Sequence, residues 1–166
     1  MSTVDSKDRL AAAVALREAG DLTEAKDLLV QIHRENPDDP EVNLQCAWAH
    51  DRLGLESEAV PYYEAAIRLG LEDSDRKDAL LGLGSTYRTL GRYEEALSTL
   101  DRGVAEFPDH GGMSVFRAMA LFNNGREKEA CELLLTLLAS TTSDETIAAY
   151  RRAIEIYAAD LDRTWS

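Results

Sequence analysis

The sequence predicts an all-α protein, a superhelical stack of helix-turn-helix hairpins closed by a C-terminal capping helix. Three observations predict it. The frame G-x-x-x-E-A occurs four times, with its glycine at Gly20, Gly54, Gly91 and Gly125 and its alanine at Ala25, Ala59, Ala96 and Ala130. The glycines are 34, 37 and 34 residues apart, a period at which repeat architectures are built. On both sides of each glycine, apolar residues recur at helical spacing and stop at glycine or proline.

The elements follow in order. Repeat one, residues 6–39, carries Ala13, Gly20, Ala25 and Pro37. Repeat two, residues 40–73, carries Ala47, His50, Gly54, Ala59, Tyr63 and Ala66. Its Pro61 is the fourth residue of a helix capped by Ser57, where the backbone N–H has no partner in any case. Three extra residues then fall in "LEDSDRKD", which reads as a bulging loop.

Repeat three, residues 77–110, is the fullest. Leu80, Leu83, Gly84 and Tyr87 share one helical face, and Gly91 ends that helix because glycine accepts the left-handed backbone of a helix C-terminus. Tyr93, Ala96, Leu97, Leu100, Val104 and Phe107 form the second stripe, and Pro108 stops it because proline cannot extend a helix interior. Repeat four, residues 111–144, keeps Ala118, Gly125 and Ala130 but has Arg117 and Thr142 where repeat three has leucine and proline. Thr142 and Glu145 in "TSDE" then fit a capping box. Ile147, Tyr150, Ile154, Tyr157 and Leu161 make one stripe of a capping helix over about residues 145–162. The whole reads as a single domain, residues 1–166.

The repeated frame has a steric reading. Seven positions before each turn glycine stands Ala13, Ala47, Gly84 or Ala118, and five after it an alanine. Where two helices cross at such sites their backbones approach closely, and a bulky residue would overpack the contact at a cost of roughly 1–3 kcal/mol.

With Leu83-Gly84, Tyr87, Gly91, Tyr93, Ala96 and Pro108 in place, and three further repeats in register, the chain resembles the tetratricopeptide repeat (TPR) family over about residues 6–144. The blocks "FRAMALFNNGREKEACELLLTLLAS" and "YRRAIEIYAADLD" are similar to small stand-alone bacterial members. That resemblance implies a binding module without an assigned reaction.

Composition narrows the function. Hydrophobic residues make up 45% and charged residues 30%, a soluble globular mix. The net charge of −13 argues against a nucleic-acid partner, whose phosphates it would repel. Residues 1–76 carry 17 acidic and 8 basic side chains, a net −9, so charge is concentrated in that half. No apolar run approaches the about 20 residues of a membrane span, and "MSTVDSKDRL" lacks the basic-then-apolar order of a secretory signal. A cytoplasmic setting is expected. Cys46 and Cys131 lie in different repeats without a second cysteine nearby, and both read as core packing.

No catalytic or cofactor motif stands out. "GLGSTY" from Gly82 lacks the third glycine and the preceding strand of a dinucleotide loop. "DSDRKD" from Asp73 has Asp78 where a calcium loop needs glycine, and reads as a solvated loop with a helix cap. His33, His50 and His110 share no metal-ligand spacing, and His50, in the tyrosine place of its repeat, reads as a packed ring. No catalytic residue, metal or cofactor is expected.

Binding is expected on the concave side, lined by the first helix of each repeat. Its fifth position is Leu10, Leu44, Leu81 and Val115; its ninth is Val14, Trp48, Ser85 and Met119; the next turn offers Arg17, Arg52, Arg88 and Phe122. These twelve predict an apolar groove margined by arginine, holding an extended segment or helix of a protein partner. Trp48 is the anchor, since tryptophan and arginine dominate binding hot spots, and the arginines would pair with carboxylates. The position-five leucines read equally well as core. TPR proteins that grip a chain's terminal carboxylate resemble one another in lysine and asparagine at these places, so the leucine and valine here imply a different, more apolar partner. The alternative is self-assembly, the groove being filled by another copy or by the chain's own segment from Tyr157 to Trp165.

Overall fold

Every repeat glycine turns the chain between two helices. Gly20, Gly54, Gly91 and Gly125 all have positive φ, between 71° and 96°, and no neighbour within 4 Å of where a Cβ would lie. The backbone conformation, and not crowding, therefore demands glycine there. The structure is a computed structural model and describes residues 3–164, with side chains from Ser6 onward; Trp165, at the end of the predicted self-filling segment, lies outside the described residues.

Among these residues the chain is helical with no strand, in the order α1 (Thr3–Ala19), α2 (Leu22–Glu35), α3 (Pro40–Arg52), α4 (Glu56–Leu69), α5 (Asp73–Thr89), α6 (Tyr93–Glu106), α7 (Gly111–Asn123), α8 (Glu127–Thr141), α9 (Glu145–Ala148) and α10 (Arg151–Ala158). They group into two units that meet in sequence at the Gly91 turn, inside the third repeat: α1–α5 and α6–α10.

In the first unit α1/α2 and α3/α4 are hairpins, α2 packs on α3 and α4 on α5. Helix α3 starts at Asp39, whose carboxylate accepts from the Glu41 and Val42 amides at 2.9 and 3.1 Å, with Pro40 at the first helical position. It is buried on nearly every side, from Val42 to Ala47 and at Ala49 and His50. Leu10, Ala13, Leu29, Ile32, Val42, Cys46 and Ala49 form one core cluster, against which Leu28 and Tyr62 pack. Fully burying a leucine or isoleucine such as Leu29 or Ile32 contributes roughly 1.5–3 kcal/mol. His50 is a packed ring: its Nδ1 lies 2.7 Å from the Cys46 carbonyl oxygen and its plane lies against Tyr62.

In the second unit α6 packs on α7, α7 and α8 form a hairpin, and α10 lies on α8. Its core holds Ala96, Leu97, Leu100, Met113, Ala118, Ala120 and Leu121. His110 caps α7, its Nδ1 accepting from the Met113 amide at 3.0 Å. All eight small residues of the repeated frame are buried, as close helix crossing requires.

Five local expectations are corrected. "DSDRKD" is neither a bulging nor a solvated loop: it is the first turn of α5, held by Arg76 N–H to the Glu72 carbonyl at 2.8 Å. Arg76 also reaches back to the Ile67 carbonyl at the end of α4. Ser57 does not cap α4, which begins at Glu56 after Leu55, so Pro61 is its sixth residue and sits inside the helix. The capping box is replaced by Asp144, which accepts from the Thr146 and Ile147 amides. The capping helix is broken after Ala148, resumes at Arg151 and stops at Ala158. Cys131 is exposed, whereas Cys46 is buried.

Candidate functional site

In the first unit, α1, α3 and α5 each carry the residues expected to bind. Position five is mostly core: Leu44 is wholly buried and Leu10 nearly so, while Leu81 is half-buried. The helices α2 and α4 enclose α3, so Leu44 has no free face to offer. The ninth position is more open. Val14, Trp48 and Ser85 are half-buried.

Trp48 is held by a neighbouring repeat. The Arg17 guanidinium, at the C-terminal end of α1, lies over the indole 5.1 Å from its centroid, a cation–π geometry. Arg17 Nε donates to the Gln45 side-chain oxygen at 3.1 Å, fixing the plane of the fork. Arg52 in turn donates from Nη1 to the Arg17 carbonyl oxygen at 3.0 Å, in the last turn of α1, where that oxygen also accepts from the Gly20 amide at 3.3 Å. Burial holds the Arg17 guanidinium below its usual pKa, with Glu18 opposing and Arg52 adding to the shift. Glu18, 3.8 Å away and exposed, is the carboxylate nearest to Arg17. Arg88 is half-buried, and its Nε has no hydrogen-bond partner.

Beside this group lies an open hollow of about 450 Å³ on α1 and the start of α3. Leu10, Ala11, Val14 and Ala15 form its apolar floor, and Lys7, Glu18 and Glu41 its rim. On the same helix as Trp48, Asp51 ties three helices together, accepting from Tyr63 Oη at 2.9 Å and from Thr86 Oγ1 at 3.2 Å. Burial, above all, raises the Asp51 carboxyl, with the two hydroxyls opposing. Tyr87 hydrogen-bonds to Glu64 and joins α5 to α4 in the same way.

In the second unit, α7 carries Val115, half-buried, Met119, 39% exposed, and Phe122, 61% exposed. An exposed phenylalanine next to an exposed methionine is an uncommon cost for a surface unless something covers it. A second open hollow, of about 440 Å³, lies on the α10 side, lined by Ala149, Tyr150, Arg152, Ala153, Ile156 and Tyr157.

Sequence reasoning missed Gln45, Asp51 and Thr86, because their role depends on which repeat faces which side chain. It also missed the outer face of α10. There the signal is in the sequence: Arg151 and Arg152 adjoin the stripe of Ile147, Tyr150, Ile154, Tyr157 and Leu161, whose Tyr150, Tyr157 and Leu161 stand exposed. Among the described residues no group of three His, Cys, Asp or Glu side chains could hold a metal ion, and no helix is long and apolar enough to cross a membrane.

A family model described as "Tetratrico peptide repeat" matches residues 40–161. Among solved structures, YrrB, a TPR protein with an unusual peptide-binding site, is 20% identical, with a TM-score of 0.72 over 93% of this chain and 77% of that one. MamA from Desulfovibrio magneticus RS-1 is 18% identical, with a TM-score of 0.68 over 95% and 97%. Superkiller protein 3 of Saccharomyces cerevisiae is 24% identical over 98 residues, which is 59% of this chain and 7% of that protein. The chain thus spans a small part of that relative's length, and the structural likenesses concern the fold.

Proposed function

The chain belongs to the tetratricopeptide repeat family, and from that premise we propose that it is a non-catalytic module whose first-helix faces bind a peptide segment or helix of a partner protein. One observation carries the proposal: Trp48 is half-buried and locked under Arg17, while Val14, at the same repeat position on α1, lines an open hollow with an apolar floor. An aromatic side chain held in place loses little freedom on binding, so its contact area converts efficiently into affinity. The partner is apolar where it meets Val14 and Trp48. It carries carboxylates where it meets Arg17 and Arg52, whose hydrogen bonds in the structure go to Gln45 and to a backbone carbonyl. Ser85, Leu81 and Arg88 extend this face along α5, and Val115, Met119 and Phe122 offer the corresponding face of α7. Leu10 and Leu44 support the face from below.

The test is affinity capture from a cell extract, comparing the native chain with Trp48→Ala combined with Met119→Glu, both verified as helical by circular dichroism. The expected result is a partner retained by the native chain and lost, by at least about tenfold in recovery, by the variant. Equal retention by both would place binding elsewhere and overturn the proposal.

A further inference from the structure

The outer face of α10 is apolar and uncovered by any described residue. Tyr150 is 68%, Tyr157 54% and Ile156 46% exposed, although Ala158 on the opposite side is buried on the second unit's core. Arg152 lines this face and Arg151 adjoins it at the start of the helix; both are exposed and have no ion pair among the described residues, in a chain of net charge −13. The hollow on α1 is its complement. Its floor is two alanines, a valine and the nearly buried Leu10, shallow enough to admit tyrosine rings. Its rim carries Glu18 and Glu41, both exposed; among the described residues Glu41 has no ion pair and Glu18 only the long contact to Arg17. The α1 stretch from Lys7 to Glu18 is about 16 Å long and the eight residues of α10 about 12 Å, at 1.5 Å per residue, so α10 fits within that stretch. Lys7, the one cation of the rim, has a counterpart in Glu155 of α10.

We propose that the occupant of the α1 hollow is α10 of a second copy, with Tyr150, Ile156 and Tyr157 on the alanine floor and Arg151 and Arg152 against Glu18 and Glu41. Two different patches then meet, so each copy keeps one of each kind for further neighbours. The contact rests on the proposed binding face only at Val14 and Leu10, and its occupancy covers the part of that face nearest the start of α1. Self-docking therefore competes with a partner there while leaving Trp48 outside the contact.

The experiment is sedimentation velocity over a wide range of protein concentration. It compares the native chain with R151E/R152E, with E18R/E41R, and with an equal mixture of the two variants. All four substituted residues are exposed, so folding is retained and is checked by circular dichroism. The native chain should sediment faster as concentration rises. Each reversal alone sets like charges face to face and should weaken association by about tenfold or more. In the mixture every junction again joins opposite charges, and association should return. A native chain that stays monomeric throughout overturns the proposal, as does association that survives either reversal or a mixture that fails to recover. W48A separates this from the binding proposal: it should leave self-association unchanged, and a loss would show that copies meet on the partner-binding face instead.

Discussion

Asp51 shows how much of the first unit hangs on one carboxylate. It receives hydroxyls from α4 and α5 while standing on α3, and burial raises its pKa. Between the ordinary aspartate value and the raised one, the native state still holds a proton that the unfolded chain has released, so native stability falls as pH rises through that window. Asp51→Asn removes the ionisation while its amide can still face both hydroxyls. Urea midpoints measured from about pH 4 to pH 7 should decline with pH in the native chain more than in Asp51→Asn. Gly82 is a second such position. A Cβ there would lie 2.6 Å from Tyr63 Oη and 2.8 Å from Cζ of the same buried ring. Gly82→Ala should lower stability by about 1–3 kcal/mol in urea unfolding. Gly84 was legible from its repeat position as a close-contact site. Gly82 was not, because its neighbour Tyr63 belongs to the preceding repeat and no spacing rule links the two.

At the scale of helices, the repeated frame made the paired elements and their turns legible. The glycine of each turn and the small residues at each crossing are local demands that one sequence displays. The misread places are those where two local signals compete. The acids of "DSDRKD" suit a loop, yet they also suit the positively polarised start of a helix, and the Arg76 contacts decide for helix. Pro61 is a similar case, since proline at the sixth residue removes a donor that would reach the Ser57 carbonyl. Its ring is exposed, so alanine fits without repacking. Pro61→Ala should stabilise the chain by about 1–3 kcal/mol, visible as a higher melting temperature by circular dichroism. The proposed binding face was legible in residue type but not in depth. Leu44 and Val115 occupy the same repeat position, yet one is wholly buried and the other half-exposed. Their exposure depends on flanking helices that periodicity does not count.

For the molecule as a whole, acidity is the dominant long-range property and arginine the local exception. The cations of greatest interest are Arg17 and Arg52 at Trp48, and Arg151 and Arg152 on α10. Each pair lies next to aromatic surface, where contact with another chain excludes water and strengthens the electrostatic attraction. The two thiols divide as sharply as the charges. Burial pushes the Cys46 thiol up to about 12, so at pH 8 it stays protonated and is withheld from reagents, which need the thiolate. Cys131 stands in solvent on α8. A maleimide dye added briefly to the native protein should therefore attach once per chain, at Cys131, as intact-mass spectrometry would read directly. The chain carries its own single mooring point for a fluorophore, on the unit that holds α10, and the meeting of two copies could be watched by energy transfer without altering one residue.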